Sequence, residues 1–276
     1  MDDDIYSLRE NQYIYSSPCE FKVVEVNPVE SCTRRCSFCP RSDSSKYPNR
    51  RDRISKDTCI NLAKQLRDLR FDNRLGFVGF GEPLMHSNLE ECISVIRKYI
   101  PTMKWLEINT NGDLLSRARI KSLYESGCNL ITVSMYDQDI SDKIESLKED
   151  IPIQITYRHH YDSLNNYNLN LVNRKDIAFE NIPLNLKTPC YIPFYSLMID
   201  WNGDVLPCAN DWSRTVKFGN INKDTITDIL IGKVSMEFKK SLSSGVRTQA
   251  PCSKCNVCGT LRGEKEYNDF KRRYNV

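Results

Sequence analysis

The chain has 276 residues, 40% hydrophobic and 27% charged, enough for one large core or one core with a small appendage. Its 39 basic and 36 acidic residues leave a formal net charge of +3, too balanced to argue for nucleic acid or a membrane surface as a partner. No apolar run approaches the ~18 residues of a membrane span, and the start Met1-Asp2-Asp3-Asp4 lacks a signal-peptide apolar segment, so a cytoplasmic location is expected.

Residues 1–20 show no clear period and read as an N-terminal extension. The apolar run from Phe21 to Val26 predicts a first strand, and the basic stretch from Arg41 to Arg53 a surface loop. Ser55 reads as the N-cap of a helix to about Arg70, with Ile60, Leu62, Ala63, Leu66 and Leu69 on its inner face. A second strand is predicted from Leu75 to Phe80. A helix capped by Asn88 follows to about Tyr99, with Glu90 and Glu91 near its positive end. The pattern continues with a strand from Trp105 to Asn109, a helix from Ser116 closed by Gly127, and a strand from Leu130 to Ser134. A further helix from about Gln138 to Glu149 and a fifth strand from Ile151 to Tyr157 complete it. This alternation implies parallel βαβ units and an α/β fold.

The alternation breaks near residue 160, and 165–185 is rich in asparagine with room for one more, poorly patterned strand. From Tyr195 two short strands flank the hairpin turn Asn202-Gly203-Asp204. A helix is expected from about Thr225 to Leu242, then a cysteine-rich loop, then a charged helix from about Gly263. The expected division is an extension over 1–20, an α/β unit over 21–185, a cysteine-rich unit over 186–260 and a terminal helix over 261–276.

Twelve cysteines in a chain expected in the cytoplasm are poor candidates for structural disulfides. Cys59 and Cys92 lie among apolar neighbours in predicted helices and, like Cys19 and Cys128, read as small hydrophobes. Cys32, Cys36 and Cys39 are different. They form a CxxxCxxC loop directly after the first strand, with the aromatic Phe38 before the last cysteine. Thiolates so close together hold a metal or a cluster. A 4Fe–4S cluster on three cysteines keeps one iron open for a small molecule, whereas a zinc site takes four closely spaced ligands.

The CxxxCxxC loop resembles that of the radical S-adenosylmethionine (SAM) superfamily. In that family the open iron chelates SAM, whose reductive cleavage gives a 5′-deoxyadenosyl radical that abstracts a substrate hydrogen. Gly79-Phe80-Gly81-Glu82-Pro83, at the end of the second strand, is similar to the family's GGEP motif, with Phe80 in place of one glycine. The resemblance implies that Gly79, Gly81, Glu82 and Pro83 grip the SAM amino group. It also implies that Asn109 and Asn111, on the third strand's end, and Ser134, on the fourth's, line its ribose and methionine. Arg158, ending the fifth strand, could pair with the SAM carboxylate or with substrate. The implied fold is a partial (β/α)6 barrel, with reacting groups at the C-terminal ends of its strands.

The last third resembles the SPASM/twitch cap that binds auxiliary clusters in the same family. Cys190, Cys208 on the hairpin, Cys252 and Cys255 would complete one auxiliary 4Fe–4S cluster, leaving Cys258 surplus; a structural zinc site is the alternative for four thiolates. One auxiliary cluster suits the role of electron acceptor in oxidising a secondary alcohol of a sugar or amino-cyclitol to a ketone. Radical modification of a peptide and a non-enzymatic, zinc-stabilised binding module are the alternatives. Arg158 and His160, with His159 between them, are the candidate catalytic residues. A flavodoxin or ferredoxin donor is implied, which Arg34, Arg35, Arg41, Arg50, Arg51 and Arg53 could steer, although a solvated loop is the readier explanation of those charges.

Overall fold

The computed structural model describes residues 21–136, 140–159, 188–245, 247–255, 257 and 259–276. The expected extension over 1–20, the strand expected within 165–185, and Cys19, His160 and Cys258 lie outside the described residues.

The strand–helix alternation is present: β1 (Val23–Val26), α1 (Lys56–Asp68), β2 (Arg74–Phe77), α2 (Leu89–Tyr99), β3 (Trp105–Thr110), α3 (Arg117–Glu125), β4 (Leu130–Met135), α4 (Ser141–Leu147) and β5 (Gln154–His159). A helical turn α5 (Ile192–Tyr195) then leads into β6 (Ser196–Ile199), β7 (Asp204–Leu206) and β8 (Gly219–Asn220). Helices α6 (Ile226–Ile231), α7 (Lys233–Ser243) and α8 (Glu264–Tyr274) close the chain. All these strands form one sheet in the order β5-β4-β3-β2-β1-β6-β7-β8. The neighbours from β5 to β6 run parallel, and β7 and β8 add antiparallel at the far edge. The sheet is open, so the barrel is partial. The hairpin is not a detached cap: β6 hydrogen-bonds directly to β1 and extends the same sheet.

Period-two alternation decides what each face of the sheet carries. Val24 and Val26 of β1, Leu75 and Phe77 of β2, Leu106 and Ile108 of β3, and Ile131 and Val133 of β4 are all fully buried. They meet Leu62 and Leu66 of α1, Ile93 and Ile96 of α2, and Ile120 and Leu123 of α3 in one apolar core. The opposite face is polar. Arg74 Nε donates to Glu107 Oε2 (2.5 Å), Thr132 donates to the other oxygen of Glu107, and Thr132 and Thr156 share a 2.9 Å hydrogen bond. A sheet face that is neither apolar nor solvent-like is where a polar ligand would be held.

Local chemistry sets the boundaries. Ser55 caps α1 by accepting from Thr58 N (3.1 Å), and Ser116 caps α3 by accepting from Arg119 N (3.1 Å). Asn88 does not cap α2; its Oδ1 instead accepts from the Ser87 hydroxyl (2.7 Å). β5 begins at Gln154 rather than Ile151, because Pro152 has no N–H to offer a neighbouring strand. The helix expected from Thr225 to Leu242 is two helices, broken where Gly232 adopts an extended conformation. Cys59, Cys92 and Cys128 are buried; Cys128 donates to Leu130 O (3.3 Å), and burial pushes its thiol up to about 12. Among the described residues no helix is long and apolar enough to cross a membrane.

Lys239 on α7 is 4% exposed, its ammonium 5.9 Å from the Phe270 ring centroid. Burial pulls its pKa down to about 8. Between about 8 and its unfolded value, the unfolded chain holds a proton that the folded chain does not, so this burial costs most at low pH. Lys239→Met is expected to stabilise the fold at pH 7 by up to about 3 kcal/mol. In thermal melts that gain should shrink steadily above pH 8.

Candidate active site

The cysteine loop is docked by polar contacts to the ends of β2 and β3. Arg34 pairs with Asp113 beyond β3 (Nη2 to Oδ1 2.6 Å), and Thr33 Oγ1 donates to the same carboxylate (2.9 Å). The Arg34 contact holds the Asp113 carboxyl below the usual carboxylate range. Asn111 Nδ2 reaches Thr33 Oγ1 (2.9 Å) and Cys32 Sγ (3.8 Å), and Arg34 N donates to Cys32 Sγ (3.4 Å). A sulfur that already accepts such bonds is held in place to ligate. Phe38 meets Tyr136, beyond β4, at a tilt of 39° with ring centroids 5.1 Å apart.

The turn after β2 lies flat on this loop. Gly81 has no room for a side chain: a Cβ there would stand 2.2 Å from Val29 O and 2.6 Å from Ser31 O. Glu82 N donates to Ser31 O (2.8 Å), and Gly79 takes a positive φ of 153° against Asn27. The Glu82 carboxylate is 2% exposed and accepts from Thr110 Oγ1 (2.6 Å), Asn111 N (2.9 Å) and Leu84 N (3.1 Å). Burial raises its pKa while these donors oppose the rise. Glu82 thus ties the end of β2 to the end of β3. Pro83 opens the short buried turn that follows.

Phe80, unexpected in this motif, packs onto the last third of the chain. Its ring meets Trp212 edge-on at 4.9 Å and lies 4.3 Å beneath the Arg214 guanidinium. Arg41, expected in a solvated loop, is 3% exposed. It binds Phe80 O and pairs with Glu30 (3.2 Å), which also pairs with Arg214. A buried guanidinium needs such partners, and the loop's polarity gave no sign of them.

One cavity is lined by Cys32, Cys36, Phe38, Cys39, Gly79, Gly81, Glu82, Asn109, Asn111 and Ser134. Ser134 Oγ donates to Asn109 Oδ1 (3.1 Å) on its floor. The expected site residues of the first constellation therefore meet at one place. Arg158 is paired in register with Ser134 at the end of β5, while His159 follows it and is exposed.

Of the second constellation, Cys190, Cys252 and Cys255 are buried and Cys208 is half-buried. Burial pushes the Cys208 thiol well above its usual range, and the charges of Cys190, Cys252 and Cys255 push it further. Cys252 is pushed up to about 12 by burial and by Cys190 and Cys255. Cys190, Cys252 and Cys255 thus act on Cys208, and four thiols are the kind of soft donor set that an iron–sulfur cluster would take. Arg247, 1% exposed and missed in the sequence, donates to Cys255 Sγ (3.8 Å) and to three backbone carbonyls around the site. The first constellation fits as well: its three thiols and the flat Gly79–Gly81 cradle leave space for a ligand beside the cysteines.

Residues 26–167 match the family model of the radical SAM superfamily, and residues 190–259 match that of the SPASM iron–sulfur cluster-binding domain. The chain belongs to the radical SAM superfamily and is an enzyme that uses iron–sulfur clusters and SAM. It is 29% identical over 259 residues to the S-adenosyl-L-methionine-dependent 2-deoxy-scyllo-inosamine dehydrogenase of Niallia circulans, covering 90% of this chain and 97% of that one. It is similar in structure to BtrN in complex with AdoMet and 2-DOIA, with a TM-score of 0.71 and 29% identity over 88% of this chain and 96% of that one. Native anSMEcpe with bound AdoMet shares the fold at 13% identity, with a TM-score of 0.56 over 91% of this chain and 97% of that one.

Because Gly81 faces two backbone carbonyls that cannot move aside, Gly81→Ala should separate the turn from the cysteine loop. The expected result is a folded protein destabilised by roughly 2 kcal/mol whose SAM affinity, read by equilibrium dialysis, falls at least about tenfold.

Proposed function

We propose that this chain is a radical SAM dehydrogenase that oxidises a secondary alcohol of an amino-cyclitol or related sugar to a ketone. The observation that carries this reading is the polar inner face of the partial barrel. Glu25, Arg74, Glu107, Thr132, Thr156 and Arg158 stand there, on the same side as Asn109 and Ser134 at the rim. Carboxylates, guanidinium groups and hydroxyls suit a small substrate rich in hydroxyl and ammonium groups. Similarity to the Niallia circulans dehydrogenase over 97% of its length supports the same class of substrate.

In this reading Cys32, Cys36 and Cys39 hold the cluster that binds SAM, and Cys190, Cys208, Cys252 and Cys255 hold the auxiliary one. When bound, these groups supply the removal of one hydrogen atom from carbon and of one further electron. The chain's own residues do the rest. The Gly79–Pro83 turn, with Asn109, Asn111 and Ser134, positions SAM above the barrel. Arg158 binds the substrate from the end of β5. The buried walls keep water from the reacting carbon. A flavodoxin- or ferredoxin-type donor would approach the exposed Arg35, Arg50, Arg51 and Arg53, and a reduction rate indifferent to ionic strength would count against this route.

The test is incubation of the reconstituted, reduced protein with SAM and 2-deoxy-scyllo-inosamine. The expected products are 5′-deoxyadenosine and a ketone in equal amounts. Deoxyadenosine that is unaffected by this compound and by other amino-cyclitols and sugars would overturn the reading.

A further inference from the structure

Oxidation of an alcohol releases the hydroxyl proton, and none of the residues given a role above accepts it. Arg158 is not suited to it, because a guanidinium offers hydrogen-bond donors and no acceptor. His159 is exposed at the end of β5, one residue out of phase with the inward-facing Arg158.

Glu25 is placed to do so. In β1 it lies between Val24 and Val26, both fully buried against the helices, so its side chain faces the barrel interior. It precedes Asn27 by two residues, about 7 Å of strand rise, and Asn27 Oδ1 accepts from Phe80 N (3.0 Å) in the turn that would hold SAM. The carboxylate is therefore one inward-facing position below the SAM cradle. Its neighbours leave it available. Glu107 is engaged by Arg74 and Thr132, whereas among the described residues Glu25 accepts one hydrogen bond, from the Ser196 hydroxyl at 3.4 Å. Across the interior, Arg158 Nε is buried with no hydrogen-bond partner among the described residues. The Glu25 carboxylate and the Arg158 guanidinium, near enough to act on each other's charge, face the same space.

We propose that Glu25 is the general base that takes the hydroxyl proton of the alcohol being oxidised, while Arg158 Nε donates a hydrogen bond to the same oxygen. The proposal rests on the dehydrogenase reading. In the balanced reaction the carbon's hydrogen leaves as an atom to the SAM-derived acceptor, and one electron leaves to an iron–sulfur cluster. The proton passes to the Glu25 carboxylate, so that C–H and O–H break as C=O forms. Burial raises the Glu25 pKa, opposed by Arg74 on β2 and Arg158 on β5 and assisted by Glu107 on β3, with the Ser196 hydroxyl on β6 lowering it slightly. Tyr195 on α5 also feels its charge. A carboxylate raised toward neutrality is a more effective base than one at its ordinary value.

The experiment compares wild type, Glu25→Gln and Glu25→Asp as reduced holoenzymes. The substrates are a panel of amino-cyclitols and sugars deuterated at their carbinol carbons. Glu25→Gln should still transfer deuterium into 5′-deoxyadenosine, yet form ketone at least about a hundredfold more slowly. It should also lose the acidic limb of the wild-type pH–rate profile, which Glu25→Asp should keep. Ketone formation at the wild-type rate, or a parallel loss of deuterium transfer and ketone with the pH limb unchanged, would overturn the proposal while sparing the dehydrogenase reading. A wild-type enzyme that oxidises no member of the panel would remove that reading and the proposal with it.

Discussion

The structure depends on one close approach, the Gly79–Gly81 turn pressed against the backbone of the cysteine loop. Gly81 sits on the Val29 and Ser31 carbonyls, and Glu82 N donates to Ser31 O (2.8 Å). A cluster with an open iron is useful only if its ligand lies beside it within a fraction of an ångström, and a direct backbone contact fixes that distance better than side chains do. The buried Glu82 carboxylate then couples this pair to β3 through Thr110 and Asn111. Strand ends that are otherwise independent become one rigid rim.

The same rim is tied to the last third of the chain. Arg214 links Glu30 beside the cysteine loop to Asp200 after β6, and it covers the ring of Phe80. Arg214 adopts a positive φ of 50°, a strained conformation for a non-glycine residue that its surroundings must enforce. The segment between Cys208 and Arg214 carries Trp212 onto Phe80, so the Gly79–Pro83 turn packs with Met198 of β6 and Leu206 of β7 in one small cluster. Where the family motif has glycine, the Phe80 ring fills this interface, and both Phe80 and Trp212 also line the cavity beside the cysteines.

Much of this was legible in the sequence because it is local. The three-cysteine loop, the glycine turn, the Ser55 cap and the Asn202-Gly203-Asp204 hairpin are each written within a few consecutive residues. What stayed hidden is assembled one residue per strand. Glu25 and Glu107 each interrupt an apolar run and Arg74 stands just ahead of one, and the run is what a periodicity argument reads; only strand pairing reveals that the three share a face. A charged residue inside a predicted parallel strand was the available signal. Arg41 misled for the opposite reason. A basic loop looks solvated until Glu30 and the Phe80 carbonyl, distant in sequence, are brought to it. That β6 would pair with β1 was equally beyond reach, since nothing in either strand specifies its neighbour.

The central claim is that the chain carries two separate clusters, of which only the first binds and cleaves SAM. Iron and sulfide counts after anaerobic reconstitution, with SAM cleavage measured beside them, test it most directly. The comparison is with a variant in which Cys32, Cys36 and Cys39 are alanine. The account predicts about eight irons falling to about four, with cleavage abolished. About four irons in both proteins would contradict it, because the first cysteine loop would then hold no cluster.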